Sequence, residues 1–383
     1  MLDFKLSEEQ EALRDMAREF AENEMRPVAA KYDQGHEFPE DVMRKAFDVG
    51  FLTCTIPVEY GGGGIGDVDT VVLTEELSWG CAGMYTTMMA NSLAFAPIIL
   101  AGSEEQKKAF LAPFCREMGF ASYCLTEREA GSDTTAIKTT ARKFGTDYVL
   151  NGSKCFITNG GVADLYVVFA NSAPEKGARG ISAFIVPRKT PGVTVGKIED
   201  KMGHRASNTT ELFFEDVRVP EANRIGREGA GFLIAMRTFD RTRAAVGAAG
   251  VGVGRAALEH AVQYAKTRIQ FDKPIAHFQS VAFKLADMAM KIQAARHLVW
   301  HAAWLMEQNR PCGRESAMAK CAGSDAGMDV ALEALQIFGG YGYMKDYPIE
   351  KLVRDAKLLQ IYEGTNEIQR LIISRDVIGP IKG

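Results

Sequence analysis

Basic residues do not dominate this chain. Its 45 Lys and Arg are outnumbered by 49 Asp and Glu, which gives a net charge of −4 with the 6 His neutral. Without a global positive field, nucleic acid or an anionic membrane is not an expected partner. An anionic ligand would have to be held by a few locally placed Arg or Lys. Cysteine is present but not paired. None of Cys54, Cys81, Cys115, Cys124, Cys155, Cys312 and Cys321 forms a CxxC motif, their number is odd, and no Cys/His spacing fits zinc. Buried, reduced thiols are expected, with no metal site. An unbroken run of 18 apolar residues is also missing, so no membrane span is expected. The amino terminus passes directly into Leu6-Ser7-Glu8-Glu9-Gln10, without the basic region, apolar run and cleavage site of a secretory signal. A cytoplasmic bacterial protein is expected, or a mitochondrial-matrix one if a transit peptide has been removed. Internal repeats and low-complexity tracts are lacking too.

What is there is an ordinary globular mixture, 46% hydrophobic and 25% charged over 383 residues. A single core rarely grows past about 250–300 residues, so two or three domains are expected. The pattern divides the chain into a helical stretch (1–120), a β-rich stretch (121–228) and a second helical stretch (229–383). In the first, Ser7 with Gln10 and Ser103 with Gln106 are capping boxes, and Pro39 stands where a helical turn begins. Gly61 to Gly64 interrupts it. No Lys-Ser/Thr follows, so this is no P-loop, and a flexible turn is expected. In the second stretch, Tyr148-Val149-Leu150, Asn151-Gly152 and Cys155 to Thr158 predict a hairpin on an Asn-Gly turn. Leu165 to Ala170, Ile181 to Val186, Val193 to Ile198 and Glu211 to Val219 are further strands. In the third, Val281, Leu285, Met288, Ile292, Ala295 and Val299 mark one face of a long helix. Gly250, Gly252 and Gly254 do not match GxGxxG and follow no strand, so close helix packing is expected rather than a nicotinamide site.

Five segments can carry chemistry. Tyr123-Cys124-Leu125-Thr126-Glu127 and Ala130-Gly131-Ser132-Asp133 form a loop rich in hydroxyls and turn formers, which could hold an anion or carbonyl or be only a polar loop. On a strand, Phe156 and Thr158 share a face. That pairing suits a flat heteroaromatic ligand, stacked by the ring and hydrogen-bonded by the hydroxyl; a core Phe beside a half-exposed Thr reads the same. Asp240-Arg241-Thr242-Arg243 offers cations for phosphate, or a solvated helix face. Gln336 to Gly342 has paired glycines at a helix end, either a cap or a place of close ligand approach. Finally, Glu363 stands between apolar Ile361-Tyr362 and a Gly364-Thr365-Asn366 break. A carboxylate partly desolvated there would be a stronger base.

Taken together and in this order, the segments resemble the acyl-CoA dehydrogenase family, most nearly its short- and medium-chain branch, over essentially the whole chain. Tyr123 to Asp133 resembles the first signature of that family and Asp355 to Arg370 the second. The resemblance implies an α+β fold: an N-terminal helical domain, a middle β-barrel or sandwich and a C-terminal four-helix bundle. It implies FAD, an acyl-CoA substrate, an electron-transferring flavoprotein as partner and a homotetramer. Glu363 matches the catalytic base. Some branches carry that base at the position of Thr242, which cannot serve. Tyr123, Leu125, Thr126, Ser132, Phe156, Thr158, Arg268, Gln270, Gln279, Gln336, Gly339, Gly340, Thr365 and Glu367 match flavin contacts, several reached from a neighbouring subunit. Ser132, Asp240, Arg243 and Gly364 match contacts to the CoA thioester. Many relatives have Trp at Phe156 and Pro-Gly at Arg128-Glu129.

The implied reaction removes the α-proton to Glu363 and the β-hydrogen as hydride to flavin N5. Tyr85, Met88, Met89, Asn91 and Val246 match the lining of an acyl pocket, apolar and either short or broad, or else they are plain helix core. Rival readings are an acyl-CoA oxidase, an enoyl-CoA reductase running the reverse direction, a dehydrogenase for alicyclic acyl groups, and a non-catalytic scaffold.

Overall fold

The computed structural model describes residues 5–380. Helix α1 (Glu8–Phe20) opens as the sequence predicts: Gln10 N–H donates to the Ser7 hydroxyl, and Ser7 N–H donates to the Gln10 side chain. A π-helical turn, Ala21–Met25, joins it to α2 (Arg26–Gly35). Pro39 caps α3 (Glu40–Asp48). Helix α4 (Asp67–Ala101) follows, and Ser103 caps α5 (Glu104–Phe110) with the second box. The glycine run before α4 is a turn but not a loose one. Gly63 N–H donates to Thr53 O, Gly64 N–H to Ile56 O and Ile65 N–H to Cys54 O. A Cβ on Gly62 would stand 2.2 Å from Ile56 O, so these glycines allow two backbones to touch.

Helix α4 is long and apolar enough to cross a membrane by length and composition, yet 67% of that stretch is buried inside the protein. It packs on α1, on helix α6 (Gly231–Thr267) and on strand β1 (Ala121–Cys124), as the central helix of a folded core.

The middle region is one eight-stranded sheet. It contains β1, β2 (Thr140–Phe144), β3 (Asp147–Thr158), β4 (Leu165–Asn171), β5 (Ile181–Pro187), β6 (Val193–Ile198), β7 (Thr209–Pro220) and β8 (Arg224–Ile225). The order is β6-β7-β3-β2-β4-β5-β8, with β1 parallel to β4. Only the pair Thr140 and Asn171 joins β2 to β4, so the sheet curls there and its halves pack inner face to inner face. Tyr148 of β3 meets Phe184 of β5 at 5.0 Å between ring centroids. The other face of β4 and β5 packs on α4 and α6, which explains their unbroken apolar runs.

The expected Asn151-Gly152 hairpin is overturned. The chain runs straight through these residues within β3, and the hairpin turns instead at Gly145-Thr146, between Phe144 and Asp147. Asn151 and Gly152 form a bulge opposite β7. The Asn151 amide donates to Asp216 Oδ1 at 3.0 Å, and Asp216 N–H returns the bond at 2.9 Å.

The C-terminal region holds α6, α7 (Gln279–Glu307), α8 (Gly313–Phe338), α9 (Ile349–Leu359) and α10 (Asn366–Ile378). Helices α6, α7 and α8 pack on one another; α9 lies on α6 and α8, and α10 on α8. The α6 glycines mark where backbones touch. A Cβ on Gly250 would meet Gly323 O at 2.2 Å, and one on Gly252 would meet Glu75 O at 2.3 Å. Gly250→Ala should therefore destabilise the protein by about 1–3 kcal/mol despite the better helix propensity of Ala. Urea unfolding checks this, and an unchanged or raised midpoint would contradict it.

Candidate active site

Six residues, Gln360 to Thr365, separate α9 from α10. Glu363 sits here at φ 52° and Gly364 at φ 93°. The left-handed region suits Gly but strains Glu, and persists only where neighbours impose it. They do. Asn366 N–H donates to Gln360 O at 3.0 Å. The Gln369 amide donates to the carbonyls of Gly364 (3.0 Å) and Glu363 (3.4 Å). Gln360 and Asn366 side chains both donate to Asp325 Oδ1 on α8 at 2.7 Å. Thr365 caps α10, accepting from Ile368 N–H.

The Glu363 side chain is half-buried, and Thr242 Oγ1 of α6 donates to its carboxylate at 2.6 Å. Burial pushes its carboxyl above the ordinary carboxylate range, against the pull of the Thr242 bond and the charges of Lys320 and Arg243. Thr242 is thus beside the base, as a hydrogen-bond donor. Arg243, only 5% exposed, donates from one terminal nitrogen to Asp240 Oδ1 at 2.8 Å, while its Nε has no partner. Arg241 diverges from it and pairs with Asp67 at 2.9 Å on the surface. Tyr123 packs tilted against Phe169 and edge-on to Phe239, with ring centroids at 4.8 and 5.5 Å. Its buried hydroxyl also lacks a partner and feels both Glu363 and Arg243.

Beside this lies a wall built by β1 and β3. Ser122 Oγ donates to Thr158 O at 2.8 Å, and Cys155 N–H donates to Thr126 O at 3.0 Å. Glu127 and Ala130 exchange both backbone hydrogen bonds, so Arg128-Glu129 forms a tight two-residue turn. Ser132 stands exposed just past it. Leu125 is buried, and its carbonyl accepts from Lys154 Nζ at 3.0 Å. Phe156, on a bulge at φ 56°, is 66% exposed, with Thr158 half-exposed on the same face. An unstacked ring beside an available hydroxyl fits a flat heteroaromatic ligand.

Arg268, Gln270, Gln279, Gln336, Gly339 and Gly340 form a second group. Arg268 caps α6, 26 residues beyond Thr242 (268 − 242), or about 39 Å along the helix. Its guanidinium lies 5.4 Å from the Tyr341 ring, just past Gly339 and Gly340, where a Cβ would meet open space. Gln270 lies on a short hairpin, Ile269–Gln270 with Lys273–Pro274, and Gln279 begins α7. Glu367 is exposed on the first turn of α10.

Around the acyl-pocket positions, Tyr85, Met88 and Val246 are buried, and Tyr85 feels Glu363 electrostatically. Asn91 is engaged elsewhere: its Oδ1 accepts from Ala121 N–H at 2.8 Å and its amide donates to Gly119 O at 3.0 Å, tying α4 to β1. Lys320, Asp325, Gln369 and Lys154 support the site and were not singled out by sequence reasoning. A signal existed for Lys320, the one charged residue in the small-residue stretch Ser316–Ser324.

Residues 7–118, 122–217 and 229–378 match the N-terminal, middle and C-terminal domain models of acyl-CoA dehydrogenase. An acyl-CoA dehydrogenase of Bacillus subtilis is 48% identical over 98% of this chain and 99% of its own. An acryloyl-CoA reductase (NADH) of Anaerotignum propionicum is 45% identical over 98% of this chain and 96% of its own. A chain solved in work on the electron transferring flavoprotein of Acidaminococcus fermentans and flavin-based electron bifurcation superposes with a TM-score of 0.97. It is 46% identical, with 99% of this chain and 100% of that one covered.

Proposed function

The chain belongs to the acyl-CoA dehydrogenase family, and from that membership we propose that it performs the FAD-dependent α,β-dehydrogenation of an acyl-CoA thioester with Glu363 as base. The observation that carries this reading is the carboxylate of Glu363. It is desolvated enough to be a stronger base than a surface Glu, oriented by Thr242, and set beside the Asp240–Arg243 pair.

FAD would be held by Tyr123, Leu125, Thr126, Ser132, Phe156 and Thr158, with its flat ring on Phe156. It supplies the acceptor for the hydride leaving the β-carbon. Arg268, Gln270, Gln279, Gln336, Gly339 and Gly340 would reach the FAD of a second copy of the chain, with Thr365 and Glu367 contributing from the cap and first turn of α10. The place of Arg268 at the far end of α6 from Thr242 supports a shared site. So does the exposure of Phe271, Phe283, Met290 and Tyr343, apolar surface that a homotetramer would cover. Ser132, Asp240, Arg243 and Gly364 would contact the CoA thioester.

An α C–H is a weak acid, so the thioester carbonyl must be polarised by fixed donors. Among the described residues the Glu363 backbone N–H makes no backbone bond, whereas Tyr362 N–H donates to Leu358 O. That free N–H is the chain's own candidate donor. Exclusion of water by the acyl chain would strengthen both this bond and the basicity of Glu363. Buried Tyr85 and Met88 favour a short or broad apolar acyl group. Reduced enzyme would pass its electrons to an electron-transferring flavoprotein. The relatives are bacterial, which supports a cytoplasmic enzyme and lends no support to a mitochondrial one.

The test is anaerobic bleaching of the bound flavin by a panel of saturated acyl-CoA thioesters: linear, branched and alicyclic. Rapid bleaching by one class is expected and names the substrate. A flavin-loaded enzyme that no saturated thioester bleaches would favour the second reading, an enoyl-CoA reductase, for which the 45% identical acryloyl-CoA reductase is the specific support.

A further inference from the structure

Lys320 has 0% exposure, in the first third of α8. A buried ammonium is costly without an opposite charge and a hydrogen-bond acceptor. The acceptor is Asn366: Lys320 Nζ donates to its Oδ1 at 2.8 Å, and Ser324 Oγ donates to the same atom at 3.2 Å. The Asn366 amide in turn donates to Ser324 Oγ at 2.9 Å and to Asp325 Oδ1 at 2.7 Å. Asn366 is the first residue of α10, three positions beyond Glu363, and Gln360 at the other end of the same loop also reaches Asp325. One turn of α8 therefore clamps both ends of the loop that holds Glu363 at its strained φ.

The charge also acts at longer range. Two carboxylates act on Lys320, Glu363 and Asp325. Asp325 is already paired with Arg370 at 2.7 Å, which leaves Glu363. The other groups facing Glu363 are Tyr85 of α4, Tyr123 of β1, Tyr362 of its own loop and Arg243 of α6. Burial keeps the three tyrosines neutral, and Arg243 is matched by Asp240.

We infer that Lys320 is a positioning residue for the dehydrogenation: through Asn366 it fixes the base-bearing loop on α8, and its charge holds Glu363 in the ionised form that accepts the α-proton. The inference rests on Glu363 being the base. Burial draws the Lys320 ammonium down to about 8, and Glu363 is the foremost group holding it up. The sign follows. A cation favours ionised Glu363, so its removal raises the Glu363 pKa and moves the acid limb of the kcat–pH profile to higher pH.

The experiment uses the FAD holoenzyme with Lys320→Met and Lys320→Gln. Lys320→Met should lower kcat by about 10²-fold through a displaced base while KM stays within about threefold. Its acid limb should rise by about one pH unit. Lys320→Gln keeps a donor for Asn366 without the charge. It should recover most of kcat but show the same displaced limb, and it stands in for the Met variant should that one not fold. An acid limb at its wild-type pH in a flavin-loaded variant overturns the inference. Glu363→Gln run in parallel separates the two claims: if it turns over normally, the assignment of the base fails; if it is inactive while the Lys320 limbs stay put, only the role of Lys320 fails.

Discussion

Glu363→Gln should lower kcat by about 10³–10⁴-fold while leaving flavin content and acyl-CoA affinity near wild type. Gln has the shape of Glu and its carbonyl still accepts from Thr242, so the loop and its strained φ should survive. What is lost is the lone pair that takes the α-proton, and no other described group can replace it. Thr242 is not a base. The tyrosines 85, 123 and 362 are pushed up by burial and hold their protons, and Asp240 is engaged by Arg243. Stopped-flow bleaching of the flavin reads the chemical step, and ligand-induced flavin perturbation reads binding. Rapid bleaching in this variant would remove Glu363 from the mechanism. Loss of ligand binding together with turnover would instead mean that the loop had moved.

Lys154→Met should cost about 3–5 kcal/mol of stability and release much of the FAD. Lys154 is 1% exposed and Glu127 8%, and they are joined at 2.6 Å. Glu127 also accepts from Lys138 N–H at 2.6 Å and Thr139 N–H at 3.1 Å, and Lys154 donates to Leu125 O. This cluster fixes the Leu125-Thr126-Glu127 segment against β3, beside Phe156 and Thr158. Met fills the space of Lys but leaves a carboxylate buried without its cation, the expensive half of a broken pair. Adding Glu127→Leu should restore stability only in part, because two backbone N–H groups then lose their acceptor, at about 1–3 kcal/mol each. Thermal unfolding and flavin retention of the single and double variants check both statements. A single variant as stable as wild type would contradict the first, and full recovery in the double variant the second.

Much of the fold was legible because its signals are local. Both capping boxes formed, since Ser7 and Gln10, or Ser103 and Gln106, need only one helical turn to meet. The apolar runs at Leu165 and Ile181 became strands buried on both faces. Asn151-Gly152 misled because the same dipeptide that closes a hairpin also suits a bulge. What decided between them was a partner 65 residues away, Asp216. The glycines at 61–64 signalled freedom in the sequence and close packing in the fold, since a missing side chain permits either.

For the site, the order of motifs singled out Glu363, Asp240, Arg243 and the Phe156–Thr158 face, because residue types and local breaks are written in the chain itself. How those groups behave was not. Thr242 and Glu363 are 121 residues apart in sequence, and Lys320 and Asn366 are 46 apart. The sequence by itself determined which side chains were available and, except at Asn151-Gly152, where the chain would form helices and strands. Only the tertiary structure decided which of them meet. The basicity of a carboxylate depends on the water removed and the charges brought near it, and both depend on the packing of α4, α6, α8 and β1 around one six-residue loop.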